Sequence, residues 1–172
     1  NRFDLPQMRS AFQEAEMVEL TGRNLTTNVA QMISQNPRCQ VWWVRLEDRF
    51  EAASPVGLAV FHRGETVWTL QHFLLSAHVM ARGVDSAVLG AISELALEDG
   101  AVRIEVHCQR RAEQQSIPGS SFDAMGLERT GFSADGVSYS LALNGQAVRK
   151  LWRPSYVECT VVLPEVIEEA AA

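Results

Sequence analysis

The loop Met80-Ala81-Arg82-Gly83-Val84-Asp85 and a scatter of histidines and hydroxyls are the places where this chain could do chemistry. The loop stands just ahead of an apolar repeat at helical spacing: Val84, Ala87, Val88, Ala91, Ile92 and Leu95. The first N–H groups of a helix have no partner inside it, so they point outward and attract an anion. Gly83 would let that anion approach the backbone. Asp85, in the first turn, offsets the helix dipole by ~0.3–1 kcal/mol and repels an anion. The loop therefore reads either as a weak anion cradle or as a plain turn from strand into helix. His72 and His78 flank the end of the preceding strand. His78 could orient a carbonyl or deprotonate an acceptor, or be a partly exposed turn histidine. His107 and Cys108 are strand neighbours, so they face opposite ways and cannot form a thiolate–imidazole pair. Cys108 shares a face with Ile104 and Val106 and reads as a core thiol. His107 lies with Arg103 and Glu105; it is a general base only if that face lines an acceptor groove. Ser76 and Ser121 have neither an elbow motif nor a positioned base, so serine nucleophilic catalysis is not expected.

Composition narrows the classes. The 172 residues fit one domain with its own core, expected to span 1–165, with 166–172 as a frayed acidic, Ala-ending tail. A net charge of −6 argues against nonspecific nucleic-acid binding, which needs excess Lys and Arg. No apolar run approaches the ~20 residues of a membrane span, and Asn1-Arg2-Phe3-Asp4 is no signal peptide. The missing initiator Met suggests a piece of a longer chain. Three widely spaced cysteines (Cys39, Cys108, Cys159) make no metal-ligand pair and no disulfide framework, which points to a reducing cytoplasm.

The elements that must position these groups follow from periodicity. Residues 1–10 alternate loosely as a strand. Ser10 to Leu20 reads as a helix, and Thr27 to Ser34 as a second, capped by Thr26 or Thr27 and closed by Asn36-Pro37. Gln40–Leu46, Pro55–Phe61 and Thr66–Ser76 predict an antiparallel meander, with Arg63-Gly64-Glu65 as one turn. Trp42-Trp43 puts one indole on each face, one in the core and the other at an interface if exposed. The long helix, closed by Gly100, leads to a strand at Arg103–His107, and such a crossover predicts parallel pairing with the strand before it. A short helix near Ser120–Met125 and two strands, Leu127–Phe132 and Val137–Leu143, follow. A last strand is predicted at Tyr156–Leu163.

This order resembles the GNAT acyltransferase fold, a mixed α/β class with a central mixed sheet and flanking helices. In acyl-CoA-dependent members the loop reads [Arg/Gln]-x-x-Gly-x-[Gly/Ala], and the preceding strand splays from the next, leaving main-chain groups for pantetheine. Gly83 matches the central glycine; Met80 and Asp85 depart from the pattern. The resemblance implies a cofactor site formed by Leu74, Leu75, Ser76, Arg82, Gly83, Val84 and Asp85, with CoA bound weakly and no metal.

The run Phe73 to Leu89 more specifically resembles F-L-L-S-C-R-V-L-G-R-G-V-E-x-A-L-L of the FkbH-like family. In that family a HAD-type phosphatase domain precedes a GNAT-like half that begins N-x-F-N-L-x-x-x-R, similar to Asn1-Arg2-Phe3-Asp4-Leu5 with Arg9. The resemblance spans roughly residues 1 to 143. It implies polyketide biosynthesis, in which a glyceryl group passes to the phosphopantetheine thiol of an acyl carrier protein. The implied partners are that carrier and an adjacent HAD-type or synthase domain. A carrier arm brings one phosphate rather than a pyrophosphate, which suits an acid at residue 85. Arg110 and Arg111 would then meet the arm's phosphate or the carrier's acidic helix, or else form a solvated loop beside Glu113. Several positions depart from the family. Ala77 replaces its Cys and His78 its Arg, while Phe122 stands where a Tyr commonly serves as general acid. Gln114 and Gln115 replace an Asn, and the HAD motif Asp-x-Asp-x-Thr is absent. These changes imply a domain that assists transfer or binds without turnover, with His78 and His107 as the remaining candidates for proton transfer. The alternatives are a CoA-dependent N-acetyltransferase of a small amine and a non-catalytic interaction domain.

Overall fold

Strand alternation builds the sheet. In β5 (Arg103–Gln109) the residues Ile104, Val106 and Cys108 are buried, while Glu105 and His107 between them are only half-buried. The computed structural model describes residues 17–26, 29, 33, 35–47, 54–80, 82–110 and 120–150. Among them six strands of a seven-stranded sheet run in the order β2 (Cys39–Leu46), β3 (Ser54–Arg63), β4 (Val67–Ser76), β5, β7 (Gly136–Ala142), β6 (Glu128–Ser133), and the seventh lies off this path against β4. β2, β3 and β4 form the expected antiparallel meander. The crossover places β5 parallel to β4, and β5–β7–β6 is antiparallel. The predicted strand at Tyr156–Leu163 and the 166–172 tail lie outside the described residues, as does the strand predicted over residues 1–10.

Successive residues of β3 feed two cores on opposite faces. Ala59 and Phe61 join the main cluster, with Trp68, Phe73, Ile104, Phe122 and Tyr139. Leu58 and Val60 join a smaller one with Ile33, against which Val29, Val41, Trp43 and Leu74 pack. Trp42 and Trp43 divide between these clusters, one indole per face, and both are half-buried. Val29, Ile33 and Gln35 are helical, and the Thr26 hydroxyl accepts from the Val29 N–H (3.3 Å), a cap that the sequence anticipated.

After β4 come α1 (Ala77–Met80) and α2 (Val84–Glu98). The buried stripe of α2 is Val84, Ala87, Leu89, Ile92 and Ala96, whereas Val88, Ala91 and Leu95 are only half-buried. Its last turn closes through Asp99 N–H to Leu95 C=O (2.9 Å), and Arg63 pairs with Asp99. α3 (Ser120–Met125) matches its predicted span, and α4 (Gly145–Lys150) follows β7. Among the described residues no helix is long and apolar enough to cross a membrane.

One irregularity shapes the site. Val60 pairs with His72 but Phe61 with Leu70, so Gln71 is an extra residue, a β-bulge that bends β4. Pairing with β5 ends at Leu70–Val106, just before it. The next stretch of β4's edge is taken instead by β1 (Met17–Glu19), antiparallel, with Glu19 opposite Leu74 and Met17 opposite Ser76. The helix predicted over Ser10–Leu20 is therefore wrong at its C-terminal end. An edge of unpaired peptide groups outweighs the helical preference of so short a segment.

Candidate functional site

A bulge that turns β4 from β5 leaves peptide groups without ladder partners, and a buried orphan costs about 1–3 kcal/mol. Here residues 19–21 satisfy them. Leu20 N–H donates to Phe73 C=O (2.9 Å), and Phe73 N–H donates to Glu19 Oε1 (3.0 Å). The single proton of the Thr21 hydroxyl lies between Glu19 Oε1 (2.7 Å) and the Gln71 carbonyl (3.2 Å). On the far side of the gap Gln109 N–H donates to Thr21 C=O (2.8 Å), bridging to β5. Gly22 follows with φ 70, and a Cβ there would lie 2.3 Å from the Gln109 carbonyl oxygen. Only glycine permits this approach.

Glu19 is the centre of the arrangement. Its Oε1 also accepts from Thr21 N–H (3.1 Å), and Oε2 lies 3.3 Å from His72 Nδ1. Both side chains are about 5% exposed (Glu19 6%, His72 5%), so a carboxylate and an imidazole meet inside the protein beside the bulge. Sequence reasoning missed Glu19 because it placed it on a helix, and Thr21 because it lay just beyond that helix with no motif to mark it. The expectation of free main-chain groups on β4 is corrected in turn. Leu74 and Leu75 are hemmed between β3 and β1, and Ser76 stands opposite Met17 of β1.

Beyond β4 the loop turns tightly. Arg82 N–H donates to Val79 C=O (3.0 Å) and Gly83 N–H to Met80 C=O (3.1 Å). Gly83 is the N-cap residue of α2, left-handed at φ 71 and ψ 20, and no side chain caps the helix. Met80 packs on the main core, which explains an apolar residue there; Val84 is buried, Asp85 half-buried and Arg82 exposed. Gly83→Val should destabilise the domain by about 1–2 kcal/mol per the left-handed penalty, read as a lower urea midpoint.

The proton-transfer candidates fall at separate points. His78 is exposed, and its Nδ1 lies 2.6 Å from Ser76 Oγ, which is itself buried. The absence of a positioned base for Ser76, expected from sequence, is thus corrected: an imidazole two residues on reaches it. Among the described residues no carboxylate bonds to His78. His107, half-buried on β5, has Nδ1 3.1 Å from Ser138 Oγ on β7. No hydrogen bond links the two histidines. Cys108 is buried as expected. Burial, and secondarily Glu19 and Asp123 against the opposing pull of Arg23, push its thiol up to about 12. A neutral buried thiol is unreactive. A disulfide reagent at pH 8 should therefore leave Cys108 untouched in the folded protein and label it after denaturation, as peptide mass mapping would show.

Phe122, at the position where the family carries a Tyr, is fully buried with its ring 5.8 Å from that of Tyr139. The Tyr139 hydroxyl donates to Asp123 Oδ2 (3.2 Å), and Arg129 grips the same carboxylate through Nε (2.7 Å) and a second nitrogen. The bond from Arg129 holds Asp123 below the usual carboxylate range, while burial, with Asp123 adding to it, pushes the Tyr139 phenol up. Inward alternation of Val137, Tyr139 and Leu141 in β7 was the available signal for this phenol. Arg110 is exposed, with its N–H bonded to Asp135 C=O (2.8 Å); Arg111 and the Glu113–Gln115 stretch lie outside the described residues.

An antiparallel meander, a bulged fourth strand, a crossover helix led in by a left-handed glycine and a parallel fifth strand together define the GNAT fold. The chain is similar to the ribosomal-protein-S18-alanine N-acetyltransferase of Escherichia coli (TM-score 0.58, 12% identity, 92% of this chain and 96% of that one). It is also similar to a Desulfovibrio desulfuricans protein ascribed to the GNAT family of acetyltransferases (TM-score 0.56, 15% identity, 81% and 95%). A third similar structure is an aminoglycoside 6'-N-acetyltransferase complexed with coenzyme A (TM-score 0.52, 13% identity, 80% and 87%). At these identities the likeness establishes the fold. No protein-family model and no curated protein matches the sequence.

Proposed function

We propose that this is a GNAT-fold domain that assists acyl transfer on a phosphopantetheine arm, within a polyketide-type biosynthetic multienzyme of the FkbH-like kind. The observation that carries the reading is the first turn of α2. Left-handed Gly83 opens it, no side chain caps it, and Asp85 stands within it. Such a turn can hold one phosphate, whereas the acid disfavours the greater charge of a pyrophosphate. The run 73–89 supports a carrier-borne arm over free CoA. In this reading the arm's phosphate meets Arg82, Gly83, Val84 and Asp85, and its amides run along Leu74, Leu75 and Ser76 in place of Met17–Glu19, which hold that edge without it. His78 and His107 are the candidate proton carriers, and Arg110 with Arg111 receives the acidic face of an acyl carrier protein beside a HAD-type or synthase domain. Buried Phe122 and the occupied edge of β4 favour assistance over independent turnover.

The test is binding of a carrier protein with and without its arm. The holo form should bind at least tenfold tighter than the apo form, and Arg110→Glu with Arg111→Glu should weaken both. Equal affinity for apo and holo carrier would overturn an arm site and leave a scaffold.

A second reading, a CoA-dependent N-acetyltransferase acting on a small amine, draws on the coenzyme A complex of the aminoglycoside 6'-N-acetyltransferase. Calorimetry with acetyl-CoA decides it: no heat at millimolar ligand would reject it.

A further inference from the structure

We infer that residues 17–22 form a displaceable strap occupying the strand slot in which a thioester arm would lie, so that arm binding and strap release are one event. This deepens the arm-site reading above and rests on it. The slot is the gap that opens where the β4–β5 pairing stops at Leu70 and Val106. Its recognition groups are the Phe73 N–H and C=O on one wall and the Gln109 N–H on the other. The strap meets each with an amide or an amide-like oxygen: Leu20 N–H, Thr21 C=O and the Glu19 carboxylate. An extended arm carrying amides offers the same donors and acceptors at strand spacing. The strap is a self-supplied ligand for that chemistry.

Its construction suits reversible exchange. Among the described residues β1 holds β4 through the Met17–Glu19 register only. The groups that seat it most deeply, Glu19 and Thr21, are polar and lose little by returning to water. Leu20 is the one apolar side chain of β1 and the next two residues that is buried in the main core, and Val18 packs only at its margin. Gly22, left-handed and pressed on Gln109, stands where the strap leaves the slot. At the other end of the slot β4 runs through α1 to the open first turn of α2, so an arm seated there would bring its phosphate to that turn.

Residue-resolved hydrogen exchange on the whole chain tests this, with pantetheine and coenzyme A as probes. The Leu20 amide is bonded to Phe73 in the strapped state. Saturating probe should speed its exchange at least tenfold, while Phe73 and Gln109, re-bonded by the arm, stay protected. Glu19→Gln and Thr21→Val, each loosening the strap without touching the turn at α2, should bind the probes at least tenfold tighter than the wild type. Binding with Leu20 protection unchanged would overturn the strap and leave the arm site standing. Failure of wild type and both variants to bind either probe would overturn the strap and the arm site together.

Discussion

Glu19→Leu is expected to destabilise the domain by about 2–5 kcal/mol, measured as a shift in urea unfolding, with Glu19→Gln costing clearly less. The carboxylate accepts from Phe73 N–H, Thr21 N–H and the Thr21 hydroxyl, and lies 3.3 Å from His72. A leucine fills roughly the same space and excludes water, so the Phe73 and Thr21 N–H groups lose their side-chain acceptor, while the Thr21 hydroxyl keeps the Gln71 carbonyl. A buried donor without a partner costs about 1–3 kcal/mol, and the costs of neighbours in one network do not simply add. Glutamine keeps one oxygen in place and loses only part of the network. Equal losses for the two variants would show that side-chain volume, and not the hydrogen bonds, sets the contribution of Glu19.

The other large effect is expected at Trp68. Trp68→Ala should cost about 3–5 kcal/mol, as truncation of a large buried aromatic leaves a cavity that its neighbours only partly fill. Trp68 is fully buried on β4 beside Ile104, its ring centroid 6.1 Å from that of Phe61. The Arg63 guanidinium lies 4.9 Å from the ring centroid and holds Asp99 at the end of α2, tying the hairpin to the helix. Trp68→Phe should cost about 1–2 kcal/mol only, because Trp68 Nε1 has no hydrogen-bond partner among the described residues and losing it breaks no bond. Thermal unfolding of the two variants checks the order. A phenylalanine as damaging as alanine would mean that the indole N–H contributes after all. Since Trp68 lies in the paired part of β4, away from the gap, neither variant should alter binding of an arm.

The chain's local patterns carried most of the fold. A β-rich run at 40–46 and a strictly alternating one at 103–107 became β2 and β5, and the crossover at residues 77–102 dictated the parallel pairing of β4 with β5. The α2 stripe was less legible. Apolar and small residues occupy most of that helix, so its sequence does not say whether Val88 or Leu89 faces inward; the sheet beneath it selects Leu89. For the site, sequence placed Gly83 at the head of α2 because a glycine ahead of a helical repeat has few other uses. It placed Cys108 in the core by simple alternation with Ile104 and Val106.

What sequence could not show is where β4 bends. Nothing local marks Gln71 as an extra residue, since the bulge exists only in register with β3, where Val60 meets His72 and Phe61 meets Leu70. That one slip decides the rest. It ends the pairing with β5, exposes the edge at Phe73, and gives Met17–Glu19 a reason to be strand. It thereby brings Glu19 to His72 across fifty-three positions of chain. The sequence by itself determined the meander, the long helix with its turn at Gly83, and β5, because those depend on neighbours along the chain. Tertiary structure alone decided that the gap beside β4 is filled by the chain's own segment, because unsatisfied peptide groups on a strand edge recruit partners by position in space.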